Sequence, residues 1–488
     1  MIDLTKNEEQ LKRTVERCRQ RNIIIPTFEQ MKNPAKIPKK IKDELRNIGL
    51  WDVVPRNLFR ITWKNEPLEK RGQFQSLANY MEIPPELTGV EARIIALVGK
   101  WFPTGAHKVG ATFGCLVPPL VTGQFDPTYH KAVWPSTGNY CRGGAYDAAL
   151  LACESIAILP EEMSQERFDW LKTVAGEIIK TPGSESNVKE IYDEVARLKT
   201  TRENVFIFNQ FSEFGNYLFH YDVTGHAMEE VLDKELGKGT YRGVCLTTGS
   251  AGTIACGDYL KQVYPTSKIA AGEAVQCPTL WLNGYGAHRI EGIGDKHVPW
   301  IHNVRNTDLI IAIDDADSMN IMRLFNELEG RKYLVNDVGA SEETVSKLGL
   351  LGISSIANLL MSIKFAKYYE LTKDDVVLTV FTDSMDMYQS RLREAKAAYG
   401  SYSILDGVKD YHGHLKAQKT DSMIELNHYD RKRVHHLKYF TWIEQQGFEL
   451  DELNAQWYDY PAYWERIQKM TPRIDALIKE FNDKVGLV

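Results

Sequence analysis

The chain has 488 residues, a formal net charge of -6 and a hydrophobic fraction of 43%. At roughly 150 residues per domain this length predicts about three domain equivalents, and the composition excludes collagen-like and disordered chains. Lys and Arg (59) are slightly outnumbered by Asp and Glu (65), so the chain lacks the basic footprint of a nucleic-acid binder. Seven cysteines, odd in number and never spaced C-x-x-C, read as free thiols and predict neither a disulfide framework nor a metal site.

The amino terminus carries no apolar leader, which predicts a cytoplasmic protein. Leu4, Leu11, Val15 and Cys18 recur at helical spacing and predict an amphipathic helix within a charged, Pro-punctuated extension, 1–90. From about residue 91, short β-rich runs alternate with longer helical patterns: Arg93 to Val98, Lys131 to Trp134, Ser155 to Leu159, Val205 to Phe208, Gly243 to Thr247, Lys268 to Gly272, Asp308 to Ile313 and Val376 to Phe381. Several are continuously apolar, as strands buried on both faces of a parallel sheet must be. The expectation is an α/β body with crossover helices, its chemistry in the loops that follow the strands. The most apolar window, Leu348 to Ile363, is interrupted by Ser, Asn and Gly and is shorter than the about 20 residues of a membrane span. It predicts a buried helix and no membrane partner. The last segment, 391–488, closes on a helix with Thr471 as N-cap, Pro472 in the first turn, and Ile474, Leu477, Ile478 and Phe481 on one face.

Three loops carry candidate chemistry. Gly249-Ser250-Ala251-Gly252-Thr253 lies between a β run and a helical pattern, where backbone N–H groups and the helix N-terminus converge on an anion; the same residues also suit a plain tight turn. Lys108, in Pro103-Thr104-Gly105-Ala106-His107-Lys108, opens a helix among small apolar neighbours. Such a lysine is either an ordinary solvated one or a desolvated amine suited to imine chemistry. Ser136-Thr137-Gly138-Asn139-Tyr140 starts a third helix with hydroxyls, an amide and clustered N–H groups, a nest for a carboxylate.

Together these stretches resemble the β-family (fold type II) of pyridoxal phosphate enzymes, and within it the cysteine synthase and cystathionine β-synthase group. Pro103 to Lys108 resembles the Pro-x-x-x-x-Lys attachment site, Ser136 to Tyr140 the Thr-Ser-Gly-Asn-Thr loop, and Pro160 to Arg167 the Pro-Glu-x-Met-Ser-x-Glu-Arg motif. Gln210-Phe211-Ser212 with Asn216, Gly249 to Thr253, His288 to Gly294 and Gly352-Ile353-Ser354-Ser355 follow in the family's order. The likeness covers roughly 91–390.

The resemblance implies two lobes with open, mostly parallel sheets, about 100–215 and 216–390, flanked by a helical carboxyl extension and an amino one. It implies pyridoxal 5'-phosphate as cofactor, with Lys108 bonded to it and serving as the proton-transfer base. Gly249, Ser250, Ala251, Gly252 and Thr253 would hold the phosphate, Asn139 the ring hydroxyl, and Ser136, Thr137, Gly138, Tyr140 and Gln210 the substrate. Thr382-Asp383-Ser384 is similar to the Pro-Asp-Ser of cystathionine β-synthases and makes Ser384 the pyridine-nitrogen partner, an assignment that weakens if Asp383 points inward. Ala106-His107-Lys108 looks more like the attachment site of tryptophan synthase β chains, so His107 either touches the phosphate or is simply packed. The implied reaction is β-elimination or β-replacement on serine, O-acetylserine or cysteine through an aminoacrylate intermediate, in a homodimer. The alternatives are a dehydratase or ammonia-lyase acting on threonine, serine or diaminopropionate, and a binding protein that keeps the fold without turnover.

Overall fold

The computed structural model of the chain describes residues 1–67, 73–136, 138–184, 187–294 and 296–487. Its strands are β1 (Tyr80–Ile83), β2 (Arg93–Val98), β3 (Lys131–Pro135), β4 (Glu154–Pro160), β5 (Glu177–Thr181), β6 (Val205–Ile207), β7 (Thr240–Thr247), β8 (Lys268–Ala274), β9 (Leu309–Ile313), β10 (Asp375–Phe381) and β11 (Met423–Glu425). They form a seven-stranded sheet, β1-β2-β10-β7-β8-β9-β11, and a four-stranded sheet, β5-β4-β3-β6. The five inner strands of the larger sheet run parallel, and only its edges β1 and β11 are antiparallel. The smaller sheet is parallel throughout.

β9 and β10 are buried along their whole length. Their Val, Ile and Leu side chains meet helices on both faces, the arrangement that continuously apolar strands require. The apolar window resolves into a short turn, Leu348–Leu350, and the helix Ile353–Tyr368, buried from Ile353 to Ala366. Among the described residues no helix is long and apolar enough to cross a membrane.

The terminal segments pack on this body and on each other. The first helix is Glu8–Gln20, capped by the Asn7 side chain, so Leu4 precedes it, though Leu4 is buried as the periodicity required. The last helix is Thr471–Val485. Met470 is its N-cap and Thr471 its first residue, one position earlier than expected, because the preceding chain arrives already helical. Asp475 accepts the backbone N–H groups of Phe28 (2.7 Å) and Glu29 (3.1 Å), and Asn482 bonds both backbone groups of Ile25. In the same carboxyl segment the buried Lys438 ammonium donates to Trp300 O (2.8 Å), His302 O (2.8 Å) and Gln456 Oε1 (2.7 Å).

Candidate active site

All the loops singled out by sequence follow the carboxyl ends of parallel strands, where ligands of open α/β sheets bind. After β2 the chain turns through Thr104 and Gly105, both at positive φ (69° and 70°), and enters the helix Lys108–Thr122. Lys108 Nζ donates to Ser250 Oγ at 3.0 Å. The same hydroxyl accepts Asn216 Nδ2 at 3.0 Å, and Asn216 also donates to Gln210 O at 3.0 Å. One serine thus ties together the lysine, the 249–253 loop and the segment following β6.

The 249–253 loop has the make-up of an anion cradle. Ala251 sits at φ 61°, and a Cβ at Gly252 would collide with the Asn216 side chain. Among the described residues, none accepts from the backbone N–H groups of Gly249, Ser250, Ala251 or Thr253. Donors clustered without protein acceptors at the head of a helix suit a phosphate. His107 closes the cradle: its Nε2 lies 3.1 Å from Thr253 Oγ1, and burial, with Lys108 beside it, pulls its pKa down to about 3. The imidazole is therefore neutral and offers one N–H. Its ring is 4.9 Å from that of His220 and 5.7 Å from that of Trp63. Trp63 Nε1 donates to Thr224 Oγ1 (3.0 Å), which also meets His220 Nδ1 at 3.0 Å, so the amino-terminal extension forms part of this wall.

Across the crevice, after β3, Ser136 Oγ accepts Gly138 N (3.1 Å) and Gln210 Nε2 (3.4 Å). Asn139 begins the helix Asn139–Leu150 and donates from Nδ2 to Asp383 Oδ2 at 2.6 Å, while its Oδ1 is buried without a hydrogen-bond partner among the described residues. Asp383 points inward. It also accepts the Tyr388 hydroxyl at 2.8 Å, and burial raises its pKa against the pull of Arg167. Ser384 is buried beside it, the Tyr140 ring packs on Trp134 at 5.5 Å, and the Cys141 thiol donates to Gly138 O at 2.9 Å. Thr137 lies outside the described residues.

Sequence reasoning missed Arg167, Glu291 and Tyr388 as parts of this site, although each lies in or near a quoted motif. The signal available was their position: buried-looking charged and phenolic residues inside otherwise small or apolar motifs. Trp63 and His220 carried no such signal.

A mostly parallel α/β body whose strand ends bring together Lys108, the 249–253 loop and the Ser136–Gln210 contact has the fold type II architecture. The family of pyridoxal-phosphate dependent enzymes matches residues 103–337. A cysteine synthase of Staphylococcus aureus is 31% identical over 259 residues, covering 53% of this chain and 75% of that one. The cystathionine beta-synthase of Saccharomyces cerevisiae is 26% identical over 316 residues, which are 63% of this chain and 59% of the yeast protein. Cysteine synthase from Entamoeba histolytica shares the fold, with a TM-score of 0.55 at 22% identity over 69% of this chain and 93% of that one. The chain belongs to the pyridoxal-phosphate dependent enzymes. Its cofactor is pyridoxal 5'-phosphate, and the cradle, the lysine and the unpartnered Asn139 Oδ1 are a donor and acceptor set that fits it.

Proposed function

We propose that the protein catalyses β-replacement on a small L-amino acid bearing a leaving group at Cβ: serine, O-acetylserine or cysteine. The observation that carries this reading is Lys108 Nζ, 3.0 Å from Ser250 at the rim of the phosphate cradle and on the same crevice as Ser136 and Gln210. When bound, the cofactor supplies the electron-withdrawing ring that makes an amino acid's α-proton labile.

The chain's own residues do the rest. Lys108 Nζ holds the cofactor and moves the α-proton. Ser136, Gly138 and Gln210 orient the α-carboxylate, with Thr137 and Tyr140 completing the loop, and Gly249 to Thr253 with His107 anchor the phosphate. Asn139 would face the ring hydroxyl with its unpartnered Oδ1. Ser384 would take the pyridine nitrogen, an assignment weakened by the inward Asp383, whose Oδ2 is engaged by Asn139 and Tyr388 but whose Oδ1 is buried without a partner among the described residues. In this reading 100–215 and 216–390 are the two lobes, 1–90 and 391–488 are coverings, and the working unit is a homodimer.

Purified protein treated with borohydride should carry a pyridoxyl group on Lys108. With O-acetylserine and sulfide it should form cysteine, and Lys108→Ala should lower the rate by roughly 10³-fold or more. Release of pyruvate and ammonia without any added thiol would replace this reading with an ammonia-lyase. A protein that binds the cofactor and amino acids but forms no product would make it a binding protein.

A further inference from the structure

Five buried side chains form one hydrogen-bonded chain between the two sheets. Glu291 receives Arg167 Nη1 at 3.0 Å on one oxygen and Arg391 Nε at 2.6 Å on the other. Arg167 Nη2 donates to the Tyr388 hydroxyl at 3.1 Å, which donates to Asp383 Oδ2 at 2.8 Å, and that oxygen accepts Asn139 Nδ2 at 2.6 Å. Arg167 and Asn139 follow β4 and β3 of the smaller sheet, whereas Glu291, Asp383 and Tyr388 follow β8 and β10 of the larger one. The chain therefore starts on the larger sheet's side, crosses three times, and ends on the residue that opens the helix behind the Ser136 loop.

Arg167 does a second thing. Its guanidinium lies directly against Gly138, where a Cβ would collide with it. Arg167 is fully buried and Glu291 nearly so. A buried ion pair of this kind is poor at adding stability, because desolvation offsets most of the attraction. What it does well is fix geometry: the planar fork of an arginine can serve two partners and one steric contact at set angles, which an ammonium cannot.

We propose that Arg167 and Glu291 are positioning residues that set Gly138 and Asn139 together, so that the hold on the substrate carboxylate and the contact with the cofactor ring rise and fall as one. The proposal rests on the placement of Asn139 and the Ser136 loop given above, and it reaches beyond that placement to residues that touch neither ligand. It also gives a role to the Arg of the Pro-Glu-x-Met-Ser-x-Glu-Arg stretch.

The test uses the holoprotein and the variants Glu291→Gln, Glu291→Asp and Tyr388→Phe, with Arg393→Gln as a control in an exposed pair at the same boundary. Two quantities are read: L-serine affinity from the change in cofactor absorption, and hydrogen exchange at the amides of 138–140 against those of 93–98. Glu291→Gln should weaken L-serine binding about tenfold and speed exchange at 138–140 about tenfold, without touching 93–98. Glu291→Asp, which keeps the charge, should restore most of both. Combining Glu291→Gln with Tyr388→Phe should cost no more than the larger single change, because the two break one chain. Fully additive effects, or a lower melting temperature with unchanged exchange and affinity, would overturn the proposal. Should Glu291→Gln fail to fold, Tyr388→Phe alone, which removes one hydroxyl from the middle, carries the same two expectations. Exchange needs no turnover, so a wild type that forms no product sinks the reaction while leaving this question decided. Normal synthesis with wild-type exchange in Glu291→Gln sinks the positioning chain alone.

Discussion

The two sheets are held by different means. Under the larger one, β9 and β10 join Ile321, Phe325, Leu334, Leu360 and Phe365 in one apolar cluster. On one face of the smaller sheet, beneath the helix Val188–Thr201, the buried cluster among the described residues is Val133, Ile156, Ile158, Ile191, Val195 and Leu198, while Ala132, Trp134, Ala157 and Leu159 on the other face join the main core, and β5 and β6 are mostly half-buried. The outer face and the edge strands of the smaller sheet are thus thinly covered, and its boundary with the larger one carries directed polar contacts. Besides the Arg167 chain, Ser390 donates from N and Oγ to Glu166 (2.9 and 2.6 Å), and Arg391 Nη2 to Glu162 O (2.6 Å). Apolar packing is non-directional and makes a rigid platform, while polar contacts have angles and are easily exchanged.

The comparison breaks if the platform proves soft. Ile311→Ala, at a fully buried position of β9, should cost about 2–5 kcal/mol in chemical denaturation. Next in size is a pH effect at Glu273 on β8, which accepts the N–H groups of Leu280 (2.8 Å) and Trp281 (2.9 Å). Burial raises this carboxyl from 4.5 to about 7. Between those pH values the folded chain holds a proton that the unfolded chain has released, so stability falls as pH rises. Glu273→Gln should flatten that slope by about 3 kcal/mol across the window. Ile179→Ala on the half-buried β5 should cost only about 1 kcal/mol; a loss as large as that of Ile311→Ala would abolish the contrast. Smallest is Glu177 on the same strand, whose carboxyl is held below its usual range by Arg202. Its contribution is present above the unfolded carboxyl's pKa and is lost as pH falls through the folded one, the opposite sign to Glu273. Glu177→Gln should change stability by less than about 1 kcal/mol, and less still in high salt.

The same contrast explains what was legible in the sequence. Strands of the platform, such as Leu309–Ile313 and Asp375–Phe381, are apolar on both faces and announce themselves. β5, Glu-Ile-Ile-Lys-Thr, mixes charge into its run, and β1 and β11 are short antiparallel edges, so none of the three was anticipated. Within the site, Lys108, Asn139 and the 249–253 loop sit in local motifs and could be named in advance. Asp383 was an open question because its direction depends on Asn139 and Tyr388, which reach it from elsewhere in the chain. The Arg167–Glu291 pair joins segments far apart in sequence, and nothing in either segment names the other. The start of the last helix was misjudged because Thr471-Pro472 is a strong N-terminal signal, yet Met470 already occupies the cap.

Trp63 stands beside the proposed phosphate cradle with its indole 5.7 Å from the His107 ring and 4.9 Å from that of Phe102. An indole in that position is a natural fluorescent gauge, whose emission will dim or recover with whatever occupies the neighbouring cradle. Removing the first sixty-three residues would take away that gauge and, with it, the side chain that meets the His107 ring from the amino-terminal segment.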